Sequence, residues 1–219
     1  MEIKNVQPRS MYTMFDIVFN EMGVTYFENV ISYPKELVEM IEELDGESES
    51  YKIIPKWSTW GSSTDQEHLY GLSKFIHSEK RNTDTGNDKL NKKILYVINS
   101  LMMAPELCAK KIFSMNQVKE EPKMALDHIK LSKYSTGKGM GPHCDAEDPN
   151  GTGVNLRYSL VCYLNDDYEG GEIYFKNQDI KIKPKAGSLV FFPSTHPYLH
   201  ESLPVTKGNK IMYTTHWMV

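Results

Sequence analysis

LRYSLVCYLNDDYEGGEIYF, residues 156–175, reads as two short strands joined by a turn. Its first nine residues are mostly apolar, β-branched or aromatic. A run of Asn, Asp and Gly interrupts them, and GEIYF resumes the strand pattern. Gly170 and Gly171 are read as a tight hairpin, because a residue without Cβ meets no penalty at positive φ. Segments of the same kind recur on both sides of this one. DHIKLSKY (127–134) precedes it; IKIK (180–183), GSLVFF (187–192), YLHESL (198–203) and KIMYTTHWM (210–218) follow. Each is bounded by Gly, Pro, Asn or Asp, and Gly187 is read as a turn ahead of a buried strand.

Several short strands at this spacing predict a jelly roll or all-β barrel from about residue 121 onward. The earlier part has a different period. PKELVEMIEEL (34–44) places Leu37, Ile41 and Leu44 on one helical face, with Pro34 suited to the first turn. NDKLNKKILYVINSLM (87–102) spaces Leu90, Ile94, Val97, Ile98 and Leu101 by threes and fours, and PELCAKKIFSM (105–115) reads as a third helix. Between the first two helices, residues 58–87 form a polar stretch, read as a long loop with a lid as one candidate role. The expectation is an α+β, mainly β chain: a single domain over 1–219, with helical support in 1–120 and a jelly-roll catalytic core in 121–219.

Bulk composition narrows the function classes. Hydrophobic residues make up 40% of the 219, enough for a packed core. A formal charge of −4 gives no electrostatic footprint for nucleic acid or an anionic membrane, so neither partner is expected. Cys108, Cys144 and Cys162 are too few and too scattered for a disulfide framework, which suits reduced thiols in the cytoplasm. The first twenty residues lack the pattern of a signal peptide, and no run approaches the roughly 18–20 apolar residues of a membrane span. Oligomeric state is not legible.

The chemistry-bearing residues sit in the strand-rich part. In GMGPHCDAED (139–148), His143 and Asp145 are two apart, so in extended backbone both project to one side. Two imidazoles and one carboxylate on one face can hold Fe(II) and leave the opposite face open. His200, in the strand YLHESL, is the candidate for the third position; its rival His196 stands before Pro197 and reads as part of a turn. The alternative donor use is a zinc hydrolase, although zinc more often takes three His or two His and Glu. Lys210, ten residues after His200, opens the last strand; buried beside a metal it could pair with a carboxylate remote from the ion.

Four blocks, in order, resemble the prolyl 4-hydroxylase-like branch of the Fe(II)/2-oxoglutarate-dependent oxygenase family. YSTGKGMGPHCD (134–145) resembles its Y-x-x-G-x-x-Y-x-P-H-x-D block, and LVCYLNDDYEGGEIYF (160–175) its Y-L-N-D…G-G-E strand pair. IKPKAGSLVFFPS (182–194) resembles its P-x-x-G-x-x-x-x-F stretch, and HESLPVTKGNKIMYTTHW (200–217) its H-x-x-x-P-V-x-x-G-x-K ending.

The resemblance implies a double-stranded β-helix, or jelly roll, with the site in its mouth. It puts His143, Asp145 and His200 in the metal positions and Lys210 where the family binds the far carboxylate of 2-oxoglutarate. Tyr163 and Tyr134 take positions that line the co-substrate pocket. It implies Fe(II), with 2-oxoglutarate and dioxygen as co-substrates, admits ascorbate as an accessory, and points to hydroxylation of a prolyl residue in a peptide or protein. Another amino-acid side chain, or a small molecule, is the alternative substrate; a non-catalytic jelly-roll binding module is the alternative of another class. Trp57, Trp60 and Tyr70 are candidates for gripping a peptide or for anchoring a loop. Two positions depart from the family: Met140 stands where Tyr is usual, and His216, followed by Trp217, where Trp is usual. If Lys210 faces inward, strand alternation turns Met212, Thr214 and His216 the same way.

Overall fold

The computed structural model describes residues 15–45, 56–61, 69–77, 85–116, 128–146 and 156–218. The first elements among the described residues are β1 (Asp16–Glu21) and β2 (Val24–Glu28), followed by α1 (Pro34–Asp45). β3 (Ser58–Gly61), β4 (Leu69–His77) and α2 (Asp88–Met115) come next. The strand-rich part holds β5 (His128–Ser135), β6 (Met140–His143), β7 (Leu156–Tyr163), β8 (Glu169–Gly170) and β9 (Ile173–Phe175). It continues through β10 (Ile180–Ile182), β11 (Leu189–Pro193), β12 (His200–Ser202), β13 (Val205–Lys207) and β14 (Asn209–Met218).

These strands form an antiparallel eight-stranded sheet, ordered β1-β2-β11-β7-β14-β5-β4-β3, and a four-stranded sheet, ordered β10-β9-β12-β6. Strand alternation divides the side chains of the large sheet between two cores. Leu131, Leu160, Cys162, Leu189, Phe191, Ile211 and Tyr213 join one cluster with the apolar stripes of α1 and α2. Tyr134, Val161, Tyr163, Val190, Phe192 and Met212 point the other way and meet Ile173, Phe175 and Ile182 of the small sheet. The jelly-roll expectation therefore holds, with the helices on the outer face and the space between the sheets lined by the even-numbered residues of β5 and β14.

The helices are amphipathic as expected. Leu37, Ile41 and Leu44 of α1 are each at most 2% exposed, and α2 begins with Asn87 Oδ1 accepting from Leu90 N at 3.1 Å. The two helices expected at 87–102 and 105–115 are one. Pro105 lies inside α2, and the buried stripe runs through it from Leu90 to Phe113. A proline removes one intrahelical hydrogen bond, but an unbroken buried face outweighs that loss.

The described residues before 120 include more strand than expected. β1 and β2 form a hairpin through Met22 and Gly23, at φ of 49° and 81°, which extends the large sheet beside β11. Within the stretch expected as a polar loop, β3 and β4 pair with each other, and β4 pairs with β5 on the opposite side of the sheet. β3, the edge strand, has only four residues, and β4 lies inside the sheet with its apolar residues interrupted by Gly71, Ser73 and Lys74, so neither shows a clean alternation. Residues 62–68 and 78–84 of that stretch, and any lid they could form, lie outside the described residues. Trp57 packs against the helix-side core, with Lys133 Nζ 5.4 Å from its ring centroid. The side chains of Trp60 and Tyr70 lie outside the described residues.

Gly187 sits in the expected turn before β11, but Gly170 and Gly171 do not close a hairpin: β7 and β9 lie in different sheets, and Gly170 belongs to β8, which pairs with β13. Gly170 and Gly171 have φ of 69° and 68°, and Gly187, at 78°, would place a Cβ 2.6 Å from the Ile31 carbonyl oxygen.

Candidate active site

The site is assembled by register. His200 of β12 and His143 of β6 are direct partners in the small sheet, and their ring centroids lie 4.4 Å apart. Asp145 is placed by a turn just after β6, not by the extended strand expected for the pair. The backbone N–H of Ala146 donates to the Ser194 carbonyl at 3.1 Å and ties that turn to the end of β11. Among the described residues, His143, Asp145 and His200 bring their donor atoms within 4.8 Å of one another. His196 lies in the turn before Pro197, outside this group.

The hydrogen bonds of the two imidazoles suit a metal. His143 Nδ1 lies 2.8 Å from the Gly141 carbonyl oxygen, and His200 Nδ1 lies 3.1 Å from that of Tyr198. A carbonyl oxygen accepts, so each Nδ1 carries the proton, and in the neutral ring Nε2 keeps its lone pair. Both Nε2 atoms face Asp145, at 3.5 Å from Oδ1 for His143 and 3.8 Å from Oδ2 for His200. Burial raises the Asp145 carboxyl, but His143, His216 and His200 outweigh it and hold the group well below the usual carboxylate range. Burial lowers the His200 imidazole, which favours the neutral, ligating form. For His143 burial also pulls downward, but Asp145 and the Gly141 carbonyl prevail and the net shift is upward. Two neutral-capable imidazoles and one firmly ionised carboxylate are donors of the types that a 2-His-1-carboxylate iron site uses.

Behind these groups the space between the sheets forms a cavity of about 120 Å³. Lys210 also lines it and is 1% exposed. Nζ donates to the Gly171 carbonyl oxygen at 3.0 Å and to Ser202 Oγ, and stands 4.7 Å from the ring centroid of Tyr134. Burial, with Lys183 nearby, pulls this lysine down to about 7. Tyr134 is its direct partner across β14–β5, and Tyr163 opposes Met212 across β14–β7. Both tyrosines line the cavity, and burial pushes the Tyr163 phenol well up, keeping it a neutral donor. Met212, Thr214 and His216 line the cavity with Lys210, as alternation required.

The geometry adds residues that the motifs did not single out. Ser159 Oγ donates to Asp145 Oδ2 at 2.5 Å and lies 2.8 Å from Ser194 Oγ. Lys130, paired in register with Thr214, enters the cavity from β5; burial draws it down to about 8, against the pull of Asp145. Ser159 had a signal in the sequence, as a small polar residue on the inward phase of an otherwise apolar strand. Ser194 and Lys130 had none that distinguishes them from surface residues.

Comparison with known proteins agrees with this arrangement. Residues 129–219 match the family model described as the 2OG-Fe(II) oxygenase superfamily. The chain is 32% identical over 88 residues to a PKHD-type hydroxylase of Maricaulis maris, covering 39% of each chain. The chain spans from under a tenth to about half the length of the curated relatives it matches. Among solved structures it resembles the viral collagen prolyl hydroxylase of Paramecium Bursaria Chlorella virus-1 in its 2OG complex. That likeness has a TM-score of 0.57 and 18% identity, over 92% of this chain and 98% of that one. It also resembles a Trichoplax adhaerens prolyl hydroxylase in complex with a hypoxia inducible factor peptide fragment. There the TM-score is 0.58 and the identity 16%, over 91% of this chain and 84% of that one. At these identities the structural likeness establishes the fold, which extends beyond the region covered by the four sequence blocks.

Proposed function

We propose, from the likeness of residues 129–219 to the 2OG-Fe(II) oxygenase superfamily, that this chain is an Fe(II)- and 2-oxoglutarate-dependent dioxygenase. In this reading residues 1–219 act as one oxygenase domain. It hydroxylates a C–H bond, with a prolyl residue of a peptide or protein as the first substrate class. The observation that carries the reading is one cavity lined by both the His143–Asp145–His200 cluster and the buried cation Lys210. A hydrolase needs the first of these; a co-substrate with two carboxylates gives a use to both.

His143, Asp145 and His200 would hold the iron from one side. Bound iron and 2-oxoglutarate together supply an oxidant from dioxygen, with succinate and carbon dioxide as by-products and one oxygen atom passing to the substrate as hydroxyl. The protein's part is ligation, orientation and exclusion of water. The Nδ1 bonds to Gly141 and Tyr198 fix both imidazoles, and Lys210 with Tyr134 and Tyr163 forms a cationic, phenol-lined end for a carboxylate. Ascorbate would serve as an accessory reductant. The three cysteines are buried and carry no disulfide among themselves, which fits a reducing compartment such as the cytoplasm. No helix among the described residues is long and apolar enough to cross a membrane.

The prolyl peptide assignment rests on relatives named as prolyl hydroxylases and on the peptide-bound structural neighbour. The test is succinate formation from 2-oxoglutarate by Fe(II)-reconstituted protein, with proline-containing peptides, other peptides and small molecules compared. Stimulation by proline-containing peptides alone supports the prolyl reading. Stimulation by another class replaces that substrate and leaves the oxygenase reading in place.

A further inference from the structure

We propose that Ser159 and His216 are positioning residues that clamp Oδ2 of Asp145, so that the carboxylate offers Oδ1 alone to the metal. The inference rests on the metal-site reading above and concerns how its one acidic ligand is held. Ser159 and His216 are direct partners across β7–β14, and His216 lines the cavity. One inward rung of the ladder therefore delivers two side chains to the same oxygen. Ser159 Oγ donates to Asp145 Oδ2 at 2.5 Å, and His216 Nε2 stands 3.6 Å from it.

Ser159 has one hydroxyl proton and spends it on Asp145. The 2.8 Å contact with Ser194 Oγ is then donated by Ser194, giving a chain from Ser194 to Ser159 to Asp145. Both serines are buried, at 0% and 1% exposure, so competition from water is small. The Ser194 carbonyl also accepts from Ala146 N, so one residue steadies both the side chain and the backbone of the Asp145 turn.

His216 Nε2 is a buried nitrogen with no hydrogen-bond partner among the described residues, and it lies outside the cluster that His143, Asp145 and His200 form. Buried ring nitrogens are usually satisfied. A shift of about half an ångström would bring it into hydrogen-bond range of Oδ2, within ordinary side-chain adjustment on ligand binding. The chemical consequence is a monodentate carboxylate. A two-oxygen Asp145 would occupy one more position on the metal, and the open face needed by co-substrate and dioxygen would shrink.

The experiment is calorimetric titration of metal-free protein with Mn(II), together with the absorption spectrum of the Co(II)-loaded protein. Ser159→Ala and His216→Phe are each expected to weaken Mn(II) binding by about 10–100-fold, the usual effect of losing a group that orients a ligand. Their Co(II) bands should weaken as coordination number rises. Ser159→Thr and His216→Gln, which restore a donor, should recover most of the affinity and the wild-type spectrum. The melting temperature of each metal-free variant separates this from a folding defect; if Ser159→Ala does not fold, the His216→Phe and His216→Gln pair decides. Wild-type affinity and spectrum in both donor-lacking variants, or loss that neither conservative variant restores, overturns the clamp alone. A wild-type protein that binds neither Mn(II) nor Co(II) overturns the metal-site reading and the clamp with it.

Discussion

His143 and His200 lie 57 positions apart in the chain yet are register partners across β6–β12, with ring centroids 4.4 Å apart. Their Nδ1 atoms each bond a carbonyl oxygen two residues away in sequence, so neither ring depends on a distant group for its orientation. A site built this way is preorganised by strand pairing, and its ligands should fail separately.

Replacing either histidine by alanine removes one of three donors and opens the site. His143→Ala and His200→Ala should each abolish iron-dependent succinate formation and reduce bound iron to background, as measured by metal analysis after dialysis. Normal iron content with retained turnover in either variant contradicts its ligand role.

Lys210 should act on the co-substrate and leave the metal untouched. Lys210→Met keeps bulk in the cavity but removes the cation. A charge-assisted hydrogen bond is worth about 1.5–3 kcal/mol, so the Kd for 2-oxoglutarate should rise roughly 10–150-fold. Mn(II) affinity without 2-oxoglutarate should stay at the wild-type value. Unchanged 2-oxoglutarate affinity removes Lys210 from the pocket's function.

The pH dependence follows from the same residue. Burial, helped by Lys183, brings Lys210 to about 7, so it keeps its proton below that pH and loses it above. A carboxylate needs the charged form, and binding above pH 7 must take up a proton. Affinity for 2-oxoglutarate should therefore weaken between pH 7 and pH 9, and Lys210→Arg should flatten the trend. For stability the sign is as follows: the unfolded lysine stays protonated up to about 10.4, so its cost to the fold fades as pH rises from 7 toward that value.

The long helix supplies a test of the fold. Leu101 of α2 is fully buried in the core between the helices and the large sheet. Leu101→Ala should cost about 2–5 kcal/mol, read by urea denaturation, while the Mn(II) affinity of the folded protein stays near wild type. A loss below about 1 kcal/mol would mean that α2 does not bury this face.

Much of this arrangement was legible before the structure. The strand series from DHIKLSKY to KIMYTTHWM, bounded by turn residues, predicted the jelly roll, and alternation from Lys210 predicted that Met212, Thr214 and His216 share its face. Two kinds of feature were harder to read. The β1–β2 hairpin had its signal, FDIVF and VTYF around Met-Gly, but helical periodicity nearby drew the whole region toward a helical reading. β3 is a four-residue edge strand, too short to show alternation, and the apolar residues of β4 are interrupted by Gly71, Ser73 and Lys74. Around the His143–Asp145–His200 cluster, Ser159 meets Asp145 and Ser194 meets Ser159 through the pairing of β7 with β11, a register that no local motif encodes. Asp145 reaches His143 through a turn, so the two side chains come together by a different backbone path from the extended one expected.

The most direct test of the central claim is anaerobic loading with Fe(II), followed by admission of oxygen and 2-oxoglutarate while succinate is measured. The expected result is succinate that requires iron, oxygen and His143, at a rate raised by proline-containing peptide. Protein that binds Fe(II) and 2-oxoglutarate yet forms no succinate with any peptide or small molecule offered would contradict it, as would protein that binds neither.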